Sequence, residues 1–208
     1  MLAATALISG EVAAENQTLG QAPITAAVVA QVVDGDTVIL DTGQKVRLLG
    51  IDAPELEKEG QPADFLAHKA KLVLAELTQG KEVRLEYDRL RYDRYGRVLA
   101  YLFLPDGTDL SREMVQRGLA RVYTVPPNQR RREELLAAQR EAIGARRGIW
   151  LKALDQDEPF YIGNQRSLIF HRPTCQQGQS TAKANRRQFQ SLAEAYLQGF
   201  SPCRTCKP

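Results

Sequence analysis

Two aspartates beside turns are the first residues in this sequence that could do chemistry. Asp36 follows Asp34-Gly35 in a tight turn, and Asp52 ends a β-like run sixteen residues later. Antiparallel pairing of the intervening strands would bring the two carboxylates together. Two acids make a hard oxygen site, and Pro54 biases Ala53 toward an extended backbone whose carbonyl is held in a fixed direction beside Asp52. Carboxylate, carbonyl and water oxygens suit Ca²⁺ better than the nitrogen and sulfur that zinc prefers. Glu55 lies three residues past Asp52, close enough to orient a water without being a ligand. Arg47 sits in the strand leading to this site, and Arg97 follows the Tyr95-Gly96 turn. Two guanidinium groups converging on an oxygen-ligated metal can neutralise a pentacovalent phosphate, which is phosphodiester chemistry. The alternative is that DGD and DAPE are ordinary turns and that both arginines are solvated surface charges.

A second set of residues, near the C-terminus, is chemically different. Phe170-His171-Arg172-Pro173-Thr174-Cys175 and Pro202-Cys203-Arg204-Thr205-Cys206 give H-x3-C and C-x2-C separated by 27 residues. One nitrogen and three sulfurs in two close pairs fit a tetrahedral zinc site of His171, Cys175, Cys203 and Cys206. A segment of 50 residues has little core, and a metal would supply stability that burial cannot. A Cys203–Cys206 disulfide with Cys175 free, or a satisfied surface His171, is the alternative. Residues 159–208 also carry seven Lys/Arg against the single acid Glu194, a balance of +6 in a chain whose net charge is +3. Such density points to a polyanionic partner, with solvated charge as the plain alternative.

Both sets need elements to position them. With 208 residues, 43% of them hydrophobic and 25% charged, the chain can bury one ordinary core and a small second one, which excludes disorder as a whole. No apolar run approaches the roughly 18 residues of a membrane-spanning helix. The apolar start MLAATALISG and the following Ala13-Ala14 resemble the end of a secretory signal, so residues 1–24 are expected to be a signal-like or disordered segment and the protein secreted or periplasmic. From Ala26 three β-runs joined by turns at Asp34-Gly35 and Asp41-Thr42-Gly43 end in QKVRLLGI. Residues 62–78 switch to helical period, with Pro62 in the first turn and Leu66, Ala70, Val73, Leu74 and Leu77 on one face, and Gly80 stops the helix. KEVRLEY and RVLAYLFL give two more strands, followed by helices over about 109–117 and 129–146. Five strands with a helix between the third and fourth are the order of an OB-fold barrel, so the expected class is α+β, mainly β: a five-stranded barrel with three helices and a small zinc-binding domain.

Taken together, VDGDT (33–37), VRLLGIDAPE (46–55), DRYGR (93–97), LSREMVQRGLARVY and Ile149-Trp150 resemble the staphylococcal nuclease family in order and spacing over about residues 26–152. The resemblance implies that Asp36 and Asp52 are calcium carboxylates, with Ala53 standing where the family has a threonine that gives its backbone carbonyl. It implies that Glu55 is the general base and that Arg47 and Arg97 bind phosphate. Arg94, in place of a lysine, and Tyr95 look like further phosphate contacts, and Tyr123 lies about where a base-stacking tyrosine is expected. An endonuclease on DNA and RNA that leaves 3′-phosphate ends follows, and stacking tyrosines on an OB-fold groove favour single strands. FHRPTC and GFSPCRTC are similar to the Ada-type metal-binding domain over about 160–208, except that His171 replaces a methyl-accepting cysteine; methyl transfer therefore drops out.

The domains expected are thus 25–152 for the nuclease-like barrel, 153–158 for a linker and 159–208 for a Cys3His zinc domain aiding nucleic-acid binding, in a monomer. The competing class is a non-catalytic nucleic-acid binder on the same barrel, as in Tudor-type relatives. Degenerate binders typically lack one or more of the acids and arginines, whereas Asp36, Arg47, Asp52, Glu55 and Arg97 are all present.

Overall fold

The computed structural model describes residues 23–58 and 60–208, so the expected signal-like segment lies, up to residue 22, outside the described residues. Alternating apolar residues build a closed barrel from β1 (Ala26–Asp34), β2 (Thr37–Leu40), β3 (Lys45–Leu48), β5 (Glu82–Glu86) and β6 (Val98–Phe103), in the order β1-β2-β3-β6-β5. In β1 the inward residues are Ala27, Val29 and Val32, and the change of spacing after Val29 coincides with a register shift between Val29 and Gln31. That irregularity bends one long strand so that it pairs with β2 on one side and β5 on the other. The parallel pairing of β3 with β6, Val46 opposite Val98, joins the two halves of the barrel.

The third run does not continue unbroken to Asp52 as expected. Gly50 adopts φ of 82° and turns the chain out of the barrel, leaving β4 (Ile51–Asp52) to pair with β7 (Arg121–Val122) in a separate ribbon. The register sets Asp52 opposite Arg121. The first helix also begins later than the Pro62 signal suggests: α1 spans Ala67–Thr78, after Leu66 in the left-handed region. The chain before it is committed to a loop, closed by reciprocal backbone bonds between Lys58 and Gln61 and by the Asp64 N–H donating to the Glu55 carbonyl at 2.9 Å. Asp109 caps α2 (Leu110–Gln116) by accepting from the Arg112 N–H at 3.2 Å. α3 spans Arg132–Gly144, inside the expected 129–146, and Asn128 ahead of it is tied to the Leu90 backbone by two 2.8 Å amide bonds.

Beyond α3, a 3-10 turn at Gly148–Leu151 leads to a second sheet. Its strands are β8 (Tyr161–Asn164), β9 (Ile169–His171), β10 (Arg186–Phe189) and β11 (Ser201–Pro202), in the order β10-β8-β9-β11, with the short helices α4 (Gln176–Gln179) and α5 (Leu192–Leu197) between them. Tyr161, Phe170, Phe189, Tyr196 and Phe200 form an aromatic core that also takes in Ala142, Ile143, Ile149 and Trp150 from the chain before residue 153. Trp150 meets Tyr196 edge-on at 4.9 Å between centroids, and Tyr196 meets Phe170 at 5.2 Å. The two halves therefore share one seam rather than joining only through residues 153–158. Trp150→Ala is expected to cost about 3–5 kcal/mol, read as a lower denaturation midpoint; an unchanged midpoint would mean the seam contributes nothing.

Candidate active site and metal centre

The DGD turn places the first carboxylate. Asp34 accepts the Asp36 N–H at 3.0 Å, and Gly35 is packed so tightly that a Cβ there would stand 2.6 Å from the Ala53 Cβ and 2.7 Å from that of Ala70. Only glycine lets the turn lie this close to the Asp52 segment. Asp36 then accepts the Ala53 N–H at 2.8 Å through Oδ2 and the Thr37 hydroxyl at 3.0 Å through Oδ1. Arg47 stands opposite Thr37 in the β2–β3 register, so its guanidinium rises between the two acids. A single nitrogen, Nη2, lies 3.0 Å from Asp36 and 3.3 Å from Asp52. The carboxylates do come together, through the β2–β3 pairing and the turn at Gly50 rather than through one unbroken strand.

Two further arginines meet Asp52 that sequence reasoning did not single out. Arg121 donates to Oδ2 from Nε at 3.1 Å and Nη2 at 2.6 Å, and Arg204 donates to Oδ1 at 2.6 Å. The Nη2 of Arg204 also lies 3.6 Å from Glu55, so one guanidinium spans the candidate ligand and the candidate base. Arg121 could have been found from the alternation of buried Ala120 and Val122 around it, had the partner strand been known. Arg204 carries no local signal; it belongs to the C-x2-C loop, 152 residues from Asp52.

The electrostatics separate the two acids. Burial pushes the Asp36 carboxyl up to about 7, with Arg47 opposing and Asp34 and Asp52 adding to the rise. Burial works the same way on Asp52, yet the guanidinium groups of Arg121, Arg47 and Arg204 together hold it below the ordinary carboxylate range. A buried pair of hard oxygen donors, one of them short of positive charge, fits a divalent cation of the calcium type.

The other expected residues sit around this centre. The Glu55 side chain is 66% exposed. Arg97 is clamped by Asp93, which takes its Nε at 2.7 Å and its backbone N–H at 3.0 Å. Arg94 donates to the Tyr95 hydroxyl at 2.6 Å, and both Arg94 and Arg97 lie over the Tyr95 ring. Among the described residues no ion pair joins Arg94 or Arg97 to Asp36, Asp52 or Glu55. Tyr123, anchored by its N–H to the Gly50 carbonyl, connects to the centre through Arg204, whose guanidinium lies 5.8 Å from the ring centroid.

The donor atoms of His171, Cys175, Cys203 and Cys206 all lie within 4.8 Å of one another. All three cysteines are thiols and His171 is buried, which sets aside the disulfide and surface-histidine alternatives. Burial holds the imidazole below its usual range, in the neutral form a metal requires. Burial also pushes the Cys206 thiol up to about 12, whereas at Cys203 the N–H groups of Cys206 and Thr205 outweigh burial and favour the thiolate. The Arg172 N–H donates to the Cys206 sulfur at 3.4 Å, and Gly178 packs where a Cβ would stand 2.8 Å from that of His171. Three sulfurs and one nitrogen at this spacing fit a closed tetrahedral site, and zinc by preference. Three of the module's seven basic residues are engaged in specific contacts. Arg172 binds Asp157 and Glu158 at 2.6 and 2.9 Å, Arg186 binds the carbonyls of Gln179 and Thr181, and Arg204 binds Asp52.

Comparison with known proteins agrees with this division. Residues 45–152 match the family model described as staphylococcal nuclease homologue, and residues 151–208 match that of the metal binding domain of Ada. The chain is 38% identical over 125 residues to a thermonuclease of Staphylococcus intermedius, covering 59% of this chain and 74% of that protein. It is 36% identical over 126 residues to a thermonuclease of Staphylococcus hyicus, covering 59% and 73%. Endonuclease YncB of Bacillus subtilis (strain 168) is 33% identical over 126 residues, covering 58% of this chain and 59% of that protein. With its closed five-stranded barrel and the family's match over more than half of its length, the chain belongs to the staphylococcal nuclease family.

Proposed function

We propose that this nuclease is a calcium-dependent phosphodiesterase that cuts within single strands of DNA and RNA and leaves 3′-phosphate ends. The observation that carries this reading is the meeting of Asp36 and Asp52 on one Arg47 nitrogen, with Glu55 at the rim. Asp36, Asp52 and the Ala53 carbonyl would hold calcium, which when bound supplies Lewis acidity to a phosphate oxygen. Glu55 orients a water and takes its proton as the water oxygen bonds to phosphorus. The bond from phosphorus to the 5′ oxygen breaks, and that oxygen leaves with a proton from solvent. Arg47 and Arg97 neutralise the charge that builds on the phosphoryl oxygens. Arg94 and Tyr95 add contacts to the phosphates of the strand, and the ring of Tyr123 supports stacking of an unpaired base. His171, Cys175, Cys203 and Cys206 would hold zinc, which fixes the fold of the C-terminal module.

End-group analysis tests the bond cleaved. Fragments of a single-stranded oligonucleotide are expected to resist polymerase extension until a phosphatase removes a 3′-phosphate. Fragments that extend directly would place the break on the other side of phosphorus.

A further inference from the structure

The three guanidinium groups around Asp52 are not equivalent. Arg121 fills Oδ2 with two N–H groups and is fixed by the strand register opposite Asp52, and Arg47 is wedged between the acids. Their side chains are 22% and 11% exposed. Arg204 is 64% exposed, reaches Asp52 from outside and lies along the face that carries Glu55 and Tyr123. It stands in the wall of a cleft of about 770 Å³ between the Glu55 loop and the C-terminal module, which Lys152 and Phe65 also line. The chain just before it is held in place: the Cys203 N–H donates to the Phe170 carbonyl at 2.9 Å, and the Ser201 hydroxyl to that of Val122 at 2.8 Å. Gln139 completes the mount, accepting the Val122 N–H at 2.7 Å and donating to the Tyr196 carbonyl at 2.6 Å.

We propose that Arg204 is a substrate-phosphate ligand of the nuclease centre, supplied in cis by the metal-binding module. The proposal rests on the phosphodiesterase reading above. Asp52 already has Arg121 and Arg47, so a cation bound beside it leaves Arg204 as the surplus positive charge with the freedom to turn outward. An arginine fork suits a phosphate diester with two non-bridging oxygens, and its position over Tyr123 pairs a phosphate contact with a base-stacking face. The module thus contributes one aimed residue to the centre rather than a broad basic surface.

The test is binding of a short single-stranded DNA, with calcium, to the full chain carrying Glu55→Gln so that turnover does not interfere. Adding Arg204→Ala is expected to weaken binding about tenfold and to reduce the logarithmic salt slope by about 0.7, one phosphate contact. Arg204→Lys is expected to keep the slope and lose part of the affinity. Lys183→Ala, an equal charge change at an exposed site of the same module, is expected to change affinity less than Arg204→Ala. Zinc content and melting temperature of each variant establish that the module is folded. With Glu55 restored, Arg204→Ala is expected to lower kcat/KM on the order of 10²-fold. Unchanged affinity and slope would overturn the proposal and leave Arg204 as a structural partner of Asp52; tighter binding or faster cleavage would overturn it in favour of an occluding contact. If the parent chain binds the strand yet never cleaves it with calcium, the phosphodiesterase reading fails while the binding comparison still decides the role of Arg204.

Discussion

Glu55→Ala is expected to slow cleavage of single-stranded DNA on the order of 10²-fold or more while the barrel stays folded. The side chain is 66% exposed, and its ion-pair partner is Arg204 at 3.6 Å, so its removal opens no cavity and strands no buried charge. Stability is expected to move by less than about 0.5 kcal/mol, as for a surface substitution. Loss of activity without loss of fold separates a proton-accepting role from a structural one. A variant that cleaves at the parental rate would remove Glu55 from the mechanism.

Cys203→Ser is expected to have the largest effect on stability. The side chain is one of four candidate ligands and is buried, and metal binding to a site of this type is worth about 10–16 kcal/mol of apparent folding free energy. Without it the aromatic core has too little apolar surface to hold β8 to β11 together, and the seam at Trp150 opens. Trp150 is the single tryptophan of the chain and is fully buried, so its fluorescence reports the event. Metal analysis is expected to fall from about one zinc per chain to none, with Trp150 emission shifting to the red. Retention of zinc and of the buried emission would remove Cys203 from the site.

Much of this centre was legible in the sequence because its parts are local. The DGD turn, Arg47 and the DAPE segment lie within residues 34–55, and the strands between them have clear alternation, so Asp36 and Asp52 could be brought together on paper. The H-x3-C and C-x2-C pairs are equally compact, and their convergence follows from ligand chemistry. Arg121 was not legible: β4 and β7 are two residues each, too short to show a period, and their pairing spans 69 residues. Arg204 was visible only as part of a charge balance, since its target lies in the other core. The break of the third run follows from the positive φ of Gly50, and the late start of α1 at Ala67 from loop hydrogen bonds between Lys58 and Gln61 and from Asp64 to Glu55, neither of which a period shows. The seam at Trp150 was hidden for a related reason. Helical periodicity in α3 identifies apolar faces but does not say which core each face enters, and Ala142 and Ile143 face the aromatic one.

Two buried carboxylates held by Arg47 are proposed to form a calcium-dependent phosphodiesterase centre. Cleavage of denatured DNA and of RNA by the purified full chain, with calcium and with a calcium chelator, tests it most directly. Fragmentation of both polymers is expected with calcium, none with the chelator, and recovery when calcium is restored. Full activity in the chelator would contradict the metal assignment, and no cleavage of either polymer with calcium would contradict the claim itself.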